Sequence, residues 1–379
     1  MERRVLLPRD PVMHHLTLTA PIGGPAHMAR GRRAERRARQ VGFALTAAAA
    51  LLVPADCTSH AGAGTAPSRA GTNTAVLPPA PALPHLKVMA SLKLHQITYL
   101  VPTPTALWAL GGPNRRLSEI DPRTTTVLKT VTLPHPAGFG TYTNGSLWIS
   151  SFADSVVMEV DPASGRVIRT IRGSSATPID HPGGLVALGS DLWVIQHRKA
   201  ILTRINARTG KVTGNVALPG HSADSPRFAS GRIWVPLATT DDTVIARIDP
   251  ATASLDGPPI HVGSITCATN SLVDGTLWLT STGDPPCGTA ARALDTRTSE
   301  VSPIRYGPDK DLYEVASTGG STWASDTTGT IYRLDTKSGK VTPSLTLEGH
   351  PDFNRLLTAF GSLWISRGDT GRIVRISVT

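Results

Sequence analysis

From residue 86 onward, apolar and polar positions repeat in a fixed order along the chain. Each repeat holds a short apolar segment centred on tryptophan, and the segment 145–150 (GSLWIS) recurs letter for letter at 361–366. The seven tryptophans of the chain all lie in such segments, 40 to 45 residues apart: Trp108, Trp148, Trp193, Trp234, Trp278, Trp323 and Trp364. This period is typical of β-propellers.

A polar loop and two alternating segments follow each tryptophan segment. Residues 157–171 (VMEVDPASGRVIRTI) show the pattern clearly, and period-two alternation predicts half-exposed strands. The Asp-Pro-x-Ser-Gly element between them predicts a turn, because Asp can bond its own backbone and Gly tolerates positive φ. We interpret five aspartates as turn formers: Asp121, Asp161, Asp249, Asp295 and Asp335.

Four short antiparallel strands in each of seven repeats predict an all-β fold, a seven-bladed β-propeller over residues 86–379. After Trp364 there is room for one more strand, at residues 372–377, so the last blade lacks its outer strand. Residues 86–94 match the outer strands of other repeats. They are predicted to complete the last blade and to cover its edge. Stacked blades would bury the tryptophans between them.

These segments resemble the seven-bladed YVTN-type and streptogramin-lyase-like propellers, an NHL-type repeat superfamily. The resemblance rests on the Gly-x-Leu-Trp strand and the Ile-Asp-Pro turn, and it covers residues 86–379. It implies the fold more than an activity, since such propellers include enzymes and binding modules. Streptogramin lyases continue Trp-Phe-Thr-Glu and use a histidine base with a metal-binding glutamate. Here the residues after tryptophan differ, and His350 with Glu348 is a loose counterpart of that pair.

Residues 1–57 form a leader. A basic run at 30–39 precedes an apolar run at 41–53, and this layout predicts a bacterial export signal. The apolar run is shorter than the roughly 20 residues that span a membrane. Met28 directly precedes the basic run and is an alternative start.

Cys57 is a candidate for lipidation, although Asp56 stands where a lipoprotein signal has a small residue. Lipid anchoring and plain secretion both stay open. Residues 58–85 are rich in Ala, Pro, Gly, Ser and Thr, which predicts a disordered tether. The expected location is extracytoplasmic, in the cell envelope or secreted.

Most of the net charge of +10 lies in residues 1–85, before the repeats. Residues 1–85 carry ten arginines and four acids, so the repeat domain is only mildly basic. The repeats hold no Lys/Arg cluster interleaved with aromatic residues, so we expect no nucleic-acid partner. We expect a monomer that contacts the membrane only through its N-terminal anchor and binds a small molecule or an envelope protein.

Histidine recurs in the predicted crossings from one blade to the next. Six candidates follow this pattern: His95, His135, His181, His221, His261 and His350. They represent either a duplicated His-Pro turn or a ring of imidazoles at the channel mouth, suited to metal, anion or acid–base chemistry. Metal motifs with tight spacing are absent from the sequence, so neither a dedicated metal site nor a cofactor is predicted.

Aspartates recur in the loops after the tryptophan strands, and we interpret most of them as strand-end caps. They are Asp154, Asp242, Asp284, Asp326 and Asp369. Cys267 and Cys287 fall on the same face of the fifth blade, which predicts a disulfide in an exported protein.

No catalytic motif is found, so the favoured hypothesis is an exported propeller, either membrane-anchored or freely secreted, that acts as a ligand- or protein-binding module rather than an enzyme. One alternative is a streptogramin-lyase-like enzyme, or another lyase or hydrolase, that uses the loop histidines. A second alternative is an extracytoplasmic assembly scaffold.

Overall fold

The computed structural model describes residues 84–94, 96–222, 224–239, 242–263, 268–281, 291–307, 312–347, 354–368 and 371–379. The regular structure in these ranges is β-strand, apart from two short 3-10 turns at Gly112–Asn114 and His197–Lys199. No helix among the described residues is long and apolar enough to cross a membrane.

Seven antiparallel sheets stand in a ring, one for each predicted blade, which confirms the seven-bladed propeller. Blade 1 comprises β2 (Tyr99–Pro102), β3 (Leu107–Leu110), β4 (Arg116–Asp121) and β5 (Thr126–Thr132). Blade 2 comprises β6 (Gly140–Thr143), β7 (Ser146–Ser151), β8 (Val156–Val160) and β9 (Val167–Ile171). Blade 3 comprises β10 (Pro182–Leu188), β11 (Asp191–Gln196), β12 (Ile201–Asn206) and β13 (Val212–Ala217).

Blade 4 is divided at both of its edges. Its inner edge is β14 (His221–Ser222) and β15 (Arg227–Ala229), which both pair with β16 (Arg232–Ala238). Its outer edge is β18 (Ser254–Leu255) and β19 (Ile260–Gly263), which both pair with β17 (Thr243–Asp249).

Blades 6 and 7 have four strands each, and blade 5 has three. Blade 5 comprises β20 (Ala268–Val273), β21 (Thr276–Ser281) and β22 (Arg292–Asp295), with Val301 bridged to Leu294 at the outer position. Blade 6 comprises β23 (Leu312–Thr318), β24 (Ser321–Asp326), β25 (Thr330–Leu334) and β26 (Val341–Thr346). Blade 7 comprises β27 (Asn354–Ala359), β28 (Ser362–Arg367), β29 (Arg372–Val378) and β1 (Leu86–Lys93).

Strand β1 closes the ring, as predicted. It pairs antiparallel with β29, from Leu86 opposite Val378 to Lys93 opposite Arg372, with a bulge between Val88 and Ala90. The last blade therefore receives its outer strand from the start of the domain. Its edge is covered by a local strand instead of being open to pairing with another chain.

The tryptophans lie between neighbouring blades, as the packing argument predicts. Their exposed fractions lie between 0 and 3%. Trp148 of blade 2 packs in one cluster with Leu185 and Leu192 of blade 3, and Trp364 of blade 7 packs with Leu100 and Leu107 of blade 1. Each blade thus contributes an indole to the contact with the next blade.

The aspartates predicted to form turns do so: Asp121, Asp161, Asp249, Asp295 and Asp335. In each case one carboxylate oxygen accepts the backbone N–H of the residue two positions later, at 2.7 to 3.0 Å. The aspartates are therefore used in local turns, and their recurrence reports the fold rather than a binding site.

Candidate functional site

The inner strands of the seven blades surround a central cavity of about 570 Å³. We call the side of the ring where the inner strands begin the crossing side, and the side of the turns into the tryptophan strands the hairpin side. The lining runs from Tyr99, Glu314 and Arg355 near the beginning of their strands to Asp274 and Thr358 near the hairpin turns. The cavity therefore extends from the crossing side toward the hairpin side.

One set of residues marks the crossing end of this cavity. Each member stands nine positions before the tryptophan of its blade, so the set forms a ring by register. We call it the channel ring, and it consists of Tyr99, Phe139, Gly184, Ser225, Thr269, Glu314 and Arg355.

Neighbouring members of the channel ring are in contact. The aromatic rings of Tyr99 and Phe139 meet edge to face with centroids 5.5 Å apart. A Cβ atom on Gly184 would lie 2.1 Å from the Ser225 hydroxyl oxygen, so this approach of blades 3 and 4 requires glycine. Glu314 and Arg355 form an ion pair. These contacts join blades 1 and 2, blades 3 and 4, and blades 6 and 7.

The Glu314–Arg355 pair joins blades 6 and 7. Arg355 Nη1 donates to Glu314 Oε1 at 2.6 Å, and the backbone N–H of Leu356 donates to Oε2 at 2.6 Å. Both side chains are buried. Burial raises the pKa of Glu314, and the charge and hydrogen bond of Arg355 offset part of that rise. The carboxylate of Glu314 thus accepts two hydrogen bonds, one from the Arg355 guanidinium and one from the backbone.

Arg355 extends across the channel. Its guanidinium lies over the rings of Tyr99, Phe139 and Tyr313, at 5.3, 5.8 and 5.9 Å from their centroids. Burial alone would lower its pKa, but the neighbouring Tyr313 and Glu314 raise that pKa well above its ordinary value. The side chain is a permanent cation that is already matched by an acid and by three aromatic faces.

Arg227 is the second arginine of the cavity wall. It stands opposite Trp234 in the β15–β16 register, and its Nη2 donates to the carbonyl oxygen of Asn270 at 2.8 Å. Its side chain also forms a hydrogen bond with Tyr99, and among the described residues no acid lies within ion-pair distance. Burial alone would lower its pKa, but nearby Tyr99 and Asp224 raise it. Arg227 is therefore a half-buried cation held by Asn270 and Tyr99, and its buried Nε has no partner among the described residues.

The buried Asp224 lies beside this arginine. Its oxygens accept the backbone N–H groups of Ser225, at 2.6 Å, and of Asn270, at 2.9 Å. The negative charge of Asp224 raises the pKa of Arg227, although the two side chains form no ion pair in the described structure.

The described histidine candidates lie elsewhere. His135 is in the connection between β5 and β6, where its Nδ1 shares a hydrogen bond of 2.6 Å with Asp154 Oδ2 and its Nε2 lies 3.4 Å from Arg172 Nη2. His181 lies just before β10, with Nδ1 at 2.5 Å from Asp180 Oδ1. Both histidines have carboxylate partners of their own, in separate local groups.

Two further histidines depart from the predicted crossings. His221 belongs to the short strand β14, and His261 lies within the outer strand β19, because the outer edge of blade 4 continues past the expected turn. The His261 side chain is 77% exposed and its Nδ1 shares a hydrogen bond of 2.8 Å with Asp242 Oδ2. None of the four described candidate histidines lines the cavity. The described residues contain no group of three potential metal ligands.

Some predictions fall outside the described residues and stay predictions. They concern His95, His350, Asp284, Asp369, the Cys267–Cys287 disulfide and lipidation of Cys57. Of the loop aspartates that the structure describes, Asp326 is a strand-end cap that accepts the backbone N–H groups of Thr328 and Thr330.

The comparisons with known proteins support the fold and indicate no activity or ligand. No protein-family model matches the chain, and no curated protein matches it. A solved chain titled Kuenenia stuttgartiensis hydrazine synthase is similar with a TM-score of 0.63 and 11% sequence identity, over 76% of this chain and 97% of that chain. At this identity the likeness shows a shared propeller fold and nothing about the site.

The sequence patterns did not identify the charged residues of the cavity wall. Arg227, Glu314 and Arg355 each interrupt an apolar segment shortly before a tryptophan, which is an unusual place for a charge in a buried strand. Counting nine positions back from every tryptophan would have collected Glu314, Arg355 and the rest of the channel ring. The partners that make this charge tolerable come from other blades, and no local pattern shows them.

Proposed function

We propose that this propeller is a small-molecule-binding module whose ligand occupies the central cavity. The observation that carries the proposal is a cavity of about 570 Å³ that is lined by the inner strands and has charged side chains on its wall, among them Arg227, Glu314 and Arg355. Ligand sites typically measure about 300–1,000 Å³ and combine apolar walls with a few convergent polar groups. Side chains fixed on strands also hold a ligand more precisely than side chains on loops.

The proposed setting is outside the cytoplasm. The basic and apolar runs of the leader favour export, the tether favours attachment at a surface, and the repeat segments favour membership of the YVTN-type and streptogramin-lyase-like propellers. A binding module in that place would capture a ligand without transforming it. The enzyme alternative relies on histidines, and three of the described candidates, His135, His181 and His261, are each paired with a different aspartate.

Ligand binding can be tested with a cavity-filling variant. Thr141 lines the cavity from β6, so Thr141→Trp should occupy the space that a ligand needs. Leu128→Trp on the exposed outer strand β5 is the matched control. A panel of small molecules should raise the melting temperature of the wild type and of the control, but not of Thr141→Trp, because a ligand that binds only the folded state stabilises it.

The contrary result is equally specific. A ligand whose stabilising effect survives Thr141→Trp but is lost in His181→Ala would move the site to the histidine loops and favour the enzyme alternative. Turnover of that ligand would then decide between binding and catalysis.

A further inference from the structure

We infer that the ligand is a carboxylate and that Arg227 is the side chain that binds its charged group. The inference rests on the proposed function, since it names the chemistry of the same cavity. Arg227 lines the cavity, is half-buried, and is bonded through Nη2 to a backbone carbonyl and through its side chain to Tyr99. A guanidinium has five N–H donors, so these two partners leave donors over, and such donors match a carboxylate.

The other charged residues of the lining are already engaged or distant. Arg355 and Glu314 are paired with each other. Asp274 lines the hairpin end and accepts the Ser317 hydroxyl at 2.9 Å. It stands three positions beyond the residue that matches Arg227 in register, which is about 10 Å along the strand at about 3.3 Å per residue. Arg227 is thus the lining cation that is free to take an anion.

The charge balance favours a monoanion over a dianion. The groups near Arg227 are the cation Arg355 and the acids Asp224 and Glu314, so these four formal charges cancel. What remains unused is hydrogen-bonding capacity, because the acids are bonded mainly to backbone N–H groups and to Arg355. A singly charged carboxylate can use the free donors, whereas a phosphate dianion would add excess negative charge beside two buried acids.

The walls indicate an apolar body for the ligand. Tyr99, Tyr142 and Phe228 are half-buried aromatic residues of the lining, whereas the aliphatic lining residues Val101, Leu185 and Val315 are buried between blades. A flat apolar carboxylate therefore fits the site, with its charged group at Arg227 and its apolar body against the aromatic residues. Benzoate is a suitable probe, and benzamide is its uncharged match in shape.

Calorimetric titration of the full chain with benzoate, benzamide and inorganic phosphate tests the inference. We expect benzoate to bind at least about tenfold more tightly than benzamide, in line with a charge-assisted hydrogen bond. Phosphate should fail to displace benzoate. Arg227→Gln should remove the preference for benzoate, Arg227→Lys should keep part of it, and Arg297→Gln at an exposed turn should leave it unchanged.

The outcomes separate this inference from the proposed function. Benzoate binding no tighter than benzamide, or displacement of benzoate by phosphate at equal concentration, overturns the carboxylate assignment while the cavity proposal stands. Benzoate binding that persists in Thr141→Trp overturns the cavity proposal itself. The comparison of the three probes on the wild type decides the matter even where Arg227→Gln does not fold.

Discussion

At the scale of single residues, identical sequence does not produce identical bonding. Trp148 and Trp364 stand in the same hexapeptide, are 1% and 0% exposed, and carry an arginine over the ring at 5.6 and 5.8 Å. Yet Trp364 Nε1 donates to the carbonyl oxygen of Ala359 at 2.9 Å, whereas the buried Nε1 of Trp148 has no partner among the described residues. The difference comes from the preceding inner strand, which the hexapeptide does not encode.

This pair of sites allows a matched test. Both Trp148→Phe and Trp364→Phe lose part of an indole, but only Trp364→Phe loses a hydrogen bond, the one to the carbonyl oxygen of the half-buried Ala359. We expect Trp364→Phe to lower the free energy of unfolding by about 1–2 kcal/mol more than Trp148→Phe does. Urea unfolding of the two variants measures the difference. Equal losses would indicate that the Trp148 indole has a water partner of similar strength.

At the scale of elements, the turns between the two outer strands respond to acid. Hydrogen bonds from the Arg297 side chain and backbone N–H lower the pKa of Asp295 from 3.8 to about 2. Since the folded pKa lies below the unfolded pKa, the stability from this carboxylate is present above about pH 4 and is lost as the pH falls through about 2. Asp295→Asn should therefore lower the melting temperature at neutral pH and have little effect at about pH 2.

The partner of this aspartate supplies the control. Arg297→Gln removes the side-chain hydrogen bond that contributes most to the lowered pKa. The acid transition should then begin at higher pH. Melting curves recorded across the acid range would contradict the assignment if Arg297→Gln and the wild type lost stability in parallel.

The strands and their order can be predicted from the sequence, whereas the candidate site cannot. Alternation and the Asp turns predict the strands and their order, because both depend on residues close together in the chain. His261 was misplaced since the outer edge of blade 4 is split into β18 and β19, a departure that no single repeat reveals. The candidate site was missed for a related reason. Arg355, Glu314 and Tyr99 come from three blades, and only closure of the ring brings them together.

For the whole molecule, closure depends on a short strand at the start of the domain. Leu92 and Leu94 pack into the cluster that joins Trp364 of blade 7 to Leu100 of blade 1. Strand β1 also covers the edge of β29 along most of its length. Without β1 the last blade would present an unpaired edge and an apolar groove, and the contact between the first and last blades would weaken.

A shortened chain tests this dependence. A chain that begins at Leu94 should aggregate or lose a cooperative melt, whereas a chain that begins at Pro84 should melt cooperatively as a monomer in gel filtration. Met89→Ser is the control within the same strand, because Met89 is 54% exposed at the bulge and should change stability by less than about 0.5 kcal/mol. Adding a peptide of residues 84–93 to the shortened chain should restore the melt, since the strand contributes through pairing and packing and not through covalent linkage. An unchanged melting temperature in the shortened chain would show that the contact between blades 7 and 1 holds the ring without β1.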